Sequence, residues 1–239
     1  MRKEIQLILI LTLFVINSYA QKTETNISFN SGLFSFGGNS AAGSTFINYN
    51  ETTKTGYANN PYGSRNGLCY GFSFQKKRVT KWNLIYGFDL GYEVLRSKIL
   101  IEEIADYTGS SKVNYAGKGK TFLNFGFVNF FPYIGFRINS KYLSFDVSGG
   151  FELALKVKNW ESGKAETANG AEIFMPSSFS SPNLFDFRRR IQVSVNYKRM
   201  SPYIGYSRGL VSYHSGFPGG PDDPHSRMIR TGVVYRLKY

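Results

Sequence analysis

Apolar and polar residues alternate along most of this chain. Between residues 143 and 157, every odd position except Gly149 is Leu, Phe or Val, whereas most even positions are serine or charged. Successive side chains of a strand point to opposite faces, so this period of two predicts a β-strand with one apolar and one polar face. The same alternation recurs at residues 82–94 and 229–239. Helical periodicity is nearly absent after the first 20 residues.

Five further segments continue this pattern. They are residues 26–36, 68–74, 120–138, 185–197 and 202–210. Arg189 and Arg208 interrupt otherwise apolar faces near the ends of two of these strands. Together the segments predict an all-β chain of eight strands.

Two of the predicted strands change phase along their length. In residues 26–36 the apolar set changes parity between Phe29 and Phe34. In residues 120–138 it is odd up to Phe127 and even from Phe130, which predicts one inserted residue, a β-bulge, near Asn129. Two shorter strands joined by a tight turn are the alternative, and they would give nine strands or more.

The connections between the predicted strands alternate in length. Those near Arg78, Ser140 and Arg199 are short. The long ones cover residues 38–66, 100–117, 160–184 and 212–225. Transmembrane β-barrels have short turns on one side and long loops on the other, with both termini on the short side. The pattern therefore predicts an antiparallel up-and-down barrel.

The composition of the polar face indicates which side points outward. Glycines on this face are Gly71, Gly87, Gly91, Gly126, Gly135, Gly150, Gly205 and Gly232. Charged residues assigned to it are Asp89, Glu93, Arg137, Asp146, Glu152, Lys156, Arg188, Arg190, Arg230 and Arg236. Glycine weakens a solvated strand but makes room inside a narrow lumen, and charges of both signs satisfy each other when buried together. We therefore expect a structural network of paired charges in the lumen and apolar side chains facing lipid.

Aromatic residues on the apolar face fall near strand ends, where a membrane barrel carries its interfacial girdles. We place Trp82, Tyr197, Tyr235 and Tyr239 at one rim, and Tyr92 and Phe185 at the other. The alternative is a soluble or peripheral ligand-binding barrel of inverted polarity, with its apolar face inside.

The first 20 residues have a charged start, a short apolar run and small residues at Ser18 and Ala20. These are the features of a cleaved secretory signal peptide, and the apolar run is too short for a spanning helix. We therefore expect residues 1–20 to be a signal peptide and residues 21–239 to be one barrel domain. The formal net charge of +13 favours anionic outer-leaflet lipids as partners. Nucleic acid is not expected as a partner, because an exported chain rarely meets it.

Residues that could carry chemistry are few. The nucleophile-elbow, Walker and dinucleotide-binding motifs are missing from the sequence, and the single cysteine, Cys69, is expected to pack in a strand-rich core. The weak candidates are His214 and His225 flanking Asp222 and Asp223 for a metal, Ser207 or Ser212 with His214 for a nucleophile, and the carboxylate pair Asp89 and Glu93. Arg188 and Arg190 alternate with apolar residues, which indicates a lumen ladder rather than a nucleic-acid patch. We predict no cofactor, no metal and no enzymatic activity.

The signal peptide, the alternating strands and the final GVVYRLKY resemble the small outer-membrane β-barrel domain family of Gram-negative bacteria. The segment TFLNFGFVNFFPYIGFRI at residues 121–138 is similar to a strand of such barrels. The resemblance implies an integral outer-membrane location. It also implies that the last strand, with Tyr235, Leu237 and Tyr239, is the signal read by the assembly machinery.

These observations lead to one expected function and one alternative. An eight-stranded barrel is just wide enough for its own side chains, so we expect a filled lumen and a structural, adhesion or accessory role. In the accessory role, the barrel would be a small subunit of a larger secretion or uptake machine of the envelope. The alternative is a narrow channel or transporter for small solutes, with lumenal Arg and Lys favouring anions.

Overall fold

The computed structural model describes residues 22–107, 112–175, 184–213 and 224–238. The predicted signal peptide and Tyr239 lie outside these residues. The strands are β1 (Lys22–Gly37), β2 (Ser44–Asn50), β3 (Thr55–Ala58), β4 (Arg65–Val79), β5 (Leu84–Asp106), β6 (Val113–Asn139), β7 (Ser144–Thr167), β8 (Glu172–Phe174), β9 (Phe185–Asn196), β10 (Met200–Gly209) and β11 (His225–Lys238). Within the described ranges, no helix is long and apolar enough to cross a membrane.

Eight of these strands form one closed antiparallel barrel. The order around the barrel is β1, β4, β5, β6, β7, β9, β10 and β11, and β11 pairs with β1 to close it. Tight turns at residues 80–83, 140–143 and 197–199 join neighbouring strands at one end, where Asn83 and Lys198 adopt positive φ. The prediction of an eight-stranded all-β barrel is confirmed. We call the end with the short turns the inner end and the opposite end the outer end.

The predicted bulge near Asn129 is wrong. β6 continues without interruption past this residue, and its odd positions face the lumen throughout, from Phe125 and Phe127 to Tyr133. The irregularity lies on the neighbouring strand, because Gly126 pairs with Lys158 whereas Phe127 pairs with Lys156.

The phase shift predicted in the first strand is wrong as well. Phe29 faces outward and is 63% exposed, whereas Phe34 and Phe36 face the lumen and are fully buried. The pairing of β1 with β11 is regular over this stretch. In both strands, residues of the same parity face the lumen along the whole length of the strand. The lumen itself becomes apolar toward the outer end, so an apolar residue there no longer marks the lipid side.

Seven of the eight glycines assigned to the polar face lie on the lumen side, and Gly126 does not. It lies on the outer face, where an added Cβ would approach the Tyr92 hydroxyl oxygen to 2.4 Å. The Tyr92 side chain therefore covers the space that Gly126 leaves open.

Three of the predicted long loops, residues 38–66, 100–117 and 160–184, contribute strands to a second closed sheet. β2 pairs in parallel with the outer end of β5, β3 pairs with β2, and β8 pairs with the outer end of β7. A bridge between Thr55 and Phe174 joins β3 to β8. Because β6 already pairs with both β5 and β7, these six segments close a small ring, which we call the outer unit. Its apolar core consists of Ile47, Tyr49, Ile101, Ile104, Ala165, Ile173 and Met175.

Candidate functional site: a filled lumen

The outer wall of the barrel is apolar across a band suited to a bilayer. On β6 the outward residues Val128, Phe130, Ile134, Phe136 and Ile138 are between 38% and 60% exposed. Residues 128–138 of a tilted strand cover about 25 Å along the barrel axis, the usual height of the apolar band of such barrels. Water would solvate this surface poorly, so lipid is its natural environment.

The inner end of the lumen holds a cluster of five charged side chains, which we call the inner cluster. Its members are Glu24, Lys77, Arg137, Asp146 and Arg236, all at most 8% exposed. Arg137 donates to Glu24 at 2.8 Å and to Asp146 at 2.6 Å. Lys77 contacts the same two carboxylates at 3.0 and 2.8 Å, and Arg236 lies 3.2 Å from Glu24. Each carboxylate is therefore shared by at least two cations.

A second cluster, the central cluster, lies deeper in the lumen. Its centre is formed by Glu93, Glu152, Arg188 and Arg230, each at most 1% exposed. Arg230 donates to Glu93 and to Glu152 at 2.8 Å, and Arg188 donates to Glu152 at 2.8 Å and also to Glu93. Burial of an ion is costly unless it is paired and hydrogen-bonded, and these bridging contacts supply the pairing.

Three more residues extend the central cluster. Arg190 donates to Glu152 at 3.1 Å and lies 3.7 Å from Asp89, while Asp186 accepts from Arg188 at 2.5 Å. The Tyr213 hydroxyl also donates to Asp186, at 2.7 Å. This bond connects the charged cluster to the aromatic residues above it.

Aromatic and aliphatic side chains fill the lumen between the central cluster and the outer end. We call this group the aromatic stopper; it comprises Phe34, Phe36, Tyr62, Cys69, Leu95, Leu123, Phe125, Phe127, Ala154, Tyr213 and Met228. Phe36 packs edge-on against Phe34, Tyr62 and Tyr213, with ring centroids 5.0–5.1 Å apart. The guanidinium of Arg188 lies 4.8 Å from the ring centre of Phe127, so the stopper and the central cluster are in direct contact.

Little space is left between the two clusters. Phe131 and Tyr133 stack at 5.3 Å, and the cavity beside them has a volume of about 10 Å³, room for one water molecule at most. A wider cavity of about 280 Å³ is found at the inner mouth, where Lys22, Lys198 and Arg236 line it.

The structure brings together most of the residues assigned to the lumen network. Asp89, Glu93, Glu152, Arg188, Arg190 and Arg230 lie in the central cluster, and Arg137, Asp146 and Arg236 lie in the inner cluster. Lys156 is half-buried, further toward the outer end of β7 than Glu152. Tyr235 and Leu237 face outward near the inner end, 39% and 49% exposed.

Glu24, Lys77 and Asp186 also belong to these clusters, although the sequence pattern did not lead to their prediction. Asp186 and Lys77 share the parity of residues already placed in the lumen, so the signal was present in the alternation. Glu24 lies before the predicted start of the first strand, and β1 begins earlier, at Lys22.

Only some of the weak catalytic candidates lie in the described part of the chain. Ser207 lies in the lumen, 1% exposed, and accepts a hydrogen bond of 2.6 Å from Arg230. It therefore belongs to the central cluster and not to an accessible outer rim. His214, Asp222 and Asp223 lie outside the described residues. In the part of the chain that is described, no group of three or more His, Cys, Asp or Glu side chains could hold a metal ion.

Comparisons with known proteins found solved structures of outer-membrane proteins. Neisserial surface protein A is 10% identical, with a TM-score of 0.41 over 91% of this chain and 99% of that chain. Ail of Yersinia pestis, the attachment invasion locus protein, is 14% identical in its complex with the heparin analogue sucrose octasulfate, with a TM-score of 0.38 over 90% of this chain and 99% of that one. A second Ail structure is 10% identical, with a TM-score of 0.37 and the same coverage.

Neither models of protein families nor curated proteins gave a match. At the similarity of the solved structures no function is transferred from them, and the fold is established by the strand pairing and burial described above. A closed ring of eight antiparallel strands, apolar outside and charged inside, is the architecture of a small outer-membrane β-barrel.

Proposed function

We propose that this protein is an integral barrel of the Gram-negative outer membrane that serves the envelope as a structural or interaction protein and carries no solute through its lumen. Its wall suits lipid, because every barrel strand is paired on both sides and the outward side chains of the band are apolar. Insertion by the outer-membrane assembly machinery is part of the same proposal.

The observation that carries the proposal is the filled lumen. A permeating ion would have to break bridging contacts in both charged clusters and displace the rings of the aromatic stopper. Arg188, Arg230 and Phe125 are among the largest side chains in the molecule that are fully buried. Breaking one such buried ion pair costs about 3–5 kcal/mol, and the pore would need several broken at once.

The outer unit supports an interaction role. It extends the barrel past the apolar band as a closed sheet with its own apolar core, so it presents a fixed surface rather than mobile loops. Such a surface suits contact with another cell-envelope component or a larger complex. Transport of a solute through the lumen would not require this unit.

Conductance in planar lipid bilayers tests the proposal. Protein purified in mild detergent, with folding checked by its change of gel mobility on boiling, is expected to produce no steady openings. The channel alternative predicts anion-selective openings that change when Arg188 and Arg230 are replaced by Gln. Openings of that kind in the wild-type protein would overturn the proposal, as would release of the protein from membranes by carbonate washing.

A further inference from the structure

Three arginines lie side by side on the outer wall of the barrel. Arg208 on β10 pairs directly with Arg189 on β9 and with Arg227 on β11. All three have the parity of the lipid-facing residues of their strands, and Arg189 and Arg227 are exposed while Arg208 is half-buried. We call this row the arginine triad.

Like charges at directly opposite positions destabilise a sheet, and an anion bound between them would offset this repulsion. Among the described residues, no carboxylate lies within 4.0 Å of any of the three guanidinium groups. Within the described part of the chain, Arg227 Nε lies 3.4 Å from His225 Nε2. Gly37 leaves the space that the Arg227 side chain occupies, since a Cβ there would lie 1.9 Å from Nε.

The triad lies in the outer half of the apolar wall, where the exposed pair Leu153 and Phe187 continues the wall beyond Arg189 toward the outer end. Phe151 on β7 pairs with Arg189, and its ring stacks on Phe187 at 5.3 Å. From this position the long arginine side chains can extend toward the outer interface, where the phosphates of an outer leaflet lie.

An apolar groove begins directly below the triad, on its membrane side. The row of residues beneath it is Gly149, Ile191, Tyr206 and Ile229, each paired with the next. Because Gly149 has no side chain, the surface is hollow there, and the groove has a volume of about 590 Å³. Val147, Val193 and Ile204 continue its lining toward the inner end.

We propose that this wall is a binding site for one anionic outer-leaflet lipid, with a phosphate on the arginine triad and an acyl chain in the groove. The groove volume falls within the range of sites for small molecules. Arginine suits the phosphate because its planar group donates two parallel hydrogen bonds to the oxygens. The inference rests on the proposed membrane location, since the groove opens toward lipid.

The site distinguishes a phospholipid or phosphoglycolipid from free phosphate. A soluble anion would use the triad alone, whereas the groove adds recognition of the chain. Both halves must therefore contribute to affinity, and each half can be removed without touching the other.

Two variants separate the halves. Arg189→Gln with Arg208→Gln and Arg227→Gln removes the phosphate contacts, and Gly149→Leu fills the groove. A Cβ at Gly149 would meet its nearest atoms at 3.6 Å, an ordinary contact, so the backbone accepts a side chain at this position. The matched controls are Lys76→Gln with Arg78→Gln and Lys81→Gln, which remove three exposed cations at the inner end, and Val128→Leu, which enlarges an outward side chain away from the groove.

The measurement is native mass spectrometry and fluorescence titration of the folded protein in mixed micelles with bisphosphorylated lipid A, and with the same lipid after removal of its phosphates. We expect one tightly bound phosphorylated lipid. The triad variant should weaken binding about tenfold or more and abolish the preference for the phosphorylated form. Gly149→Leu should weaken both lipids, and the controls should change neither.

Equal binding of both lipids by the wild-type protein would overturn the inference, as would unchanged binding by the triad variant. A double variant, Asp222→Asn with Asp223→Asn, tests whether the arginines pair with the protein's own carboxylates. If this variant binds the lipid more tightly than wild type while the triad variant binds it equally well, the arginines pair with those carboxylates and not with lipid. The boiling test and the bilayer recordings report on the barrel separately, so a failure here leaves the proposed function standing.

Discussion

At the scale of single residues, the lumen is held by charges that cannot be removed one at a time. Glu93 and Glu152 each contact both Arg188 and Arg230. In such a square, the loss of one arginine leaves two buried carboxylates with one central cation between them. In the folded protein, pairing offsets the free-energy cost of burying these charges. When one arginine is removed, the carboxylates stay buried without that compensation, and the protein is destabilised.

The first prediction concerns Arg230→Met. We expect it to lower the free energy of unfolding by about 3–5 kcal/mol, because Glu93 and Glu152 stay buried while one of their two shared arginines is gone. Urea unfolding in micelles, followed by gel mobility without boiling, measures this. Adding Glu93→Gln should recover part of the loss, a coupling of about 0.5–3 kcal/mol.

The matched control for Arg230→Met is Arg78→Met, which removes an exposed arginine at the inner end. Its unfolding free energy should change by no more than about 0.5 kcal/mol. If Arg230→Met is as stable as this control, the central cluster does not stabilise the barrel.

At the scale of elements, the sequence predicted strands better than it predicted which face an apolar residue takes. Alternation identified all eight barrel strands, because one face meets lipid over the whole band. It assigned Phe34 and Phe125 to the wrong face. Near these residues the lumen side is apolar too, so alternation between apolar and polar residues cannot distinguish the lumen from lipid. The outer unit was missed because β3 and β8 have four and three residues, too short to show a period.

The second prediction tests the faces of β6. In single-cysteine variants, labels at positions 128 and 130 should react with membrane-soluble probes, whereas labels at 125 and 127 should stay protected. The native Cys69 is fully buried and should not interfere. Reactivity at 125, 127 and 130 with protection at 128 would restore the bulge near Asn129 that the sequence suggested.

The third prediction concerns Glu161, which lies on β7 beyond the apolar band and is buried beneath the outer unit. Burial raises the pKa of this carboxyl, although Thr121 Oγ1 donates a hydrogen bond to it at 2.9 Å. A carboxyl with a raised pKa in the folded state binds its proton more tightly there than in the unfolded chain. The stability of the outer unit should therefore fall as pH rises from the ordinary glutamate pKa through the raised one.

Glu161→Gln should remove this pH dependence and stabilise the outer unit at neutral pH, since the amide oxygen can accept the same hydrogen bond. Hydrogen exchange of β2, β3 and β8 amides across this pH range measures the effect. Glu166→Gln, an exposed change on the same strand, is the control and should leave the slope intact. A slope that persists in Glu161→Gln would assign it to another group.

At the scale of the whole molecule, the chain contains two closed sheets stacked along one axis and sharing strands. The barrel uses β5, β6 and β7 in the membrane, and the outer unit uses their outer ends. The sequence predicted the barrel and its charged lumen, because both follow from local alternation. It could not predict the outer unit, because parallel pairing of β2 with β5 depends on contacts between residues more than 50 positions apart.

The fourth prediction is that the barrel does not need the outer unit. Replacing residues 44–58 by a short Gly/Ser linker removes β2 and β3, which pair only beyond the apolar band, and retains Tyr62 of the aromatic stopper. We expect this variant to keep its change of gel mobility on boiling and its electrical silence, while amides at the outer ends of β5 and β7 lose their protection from hydrogen exchange. Because the two charged clusters and the stopper are complete without β2 and β3, loss of the folded band on the gel would mean that the barrel and the outer unit form one cooperative structure.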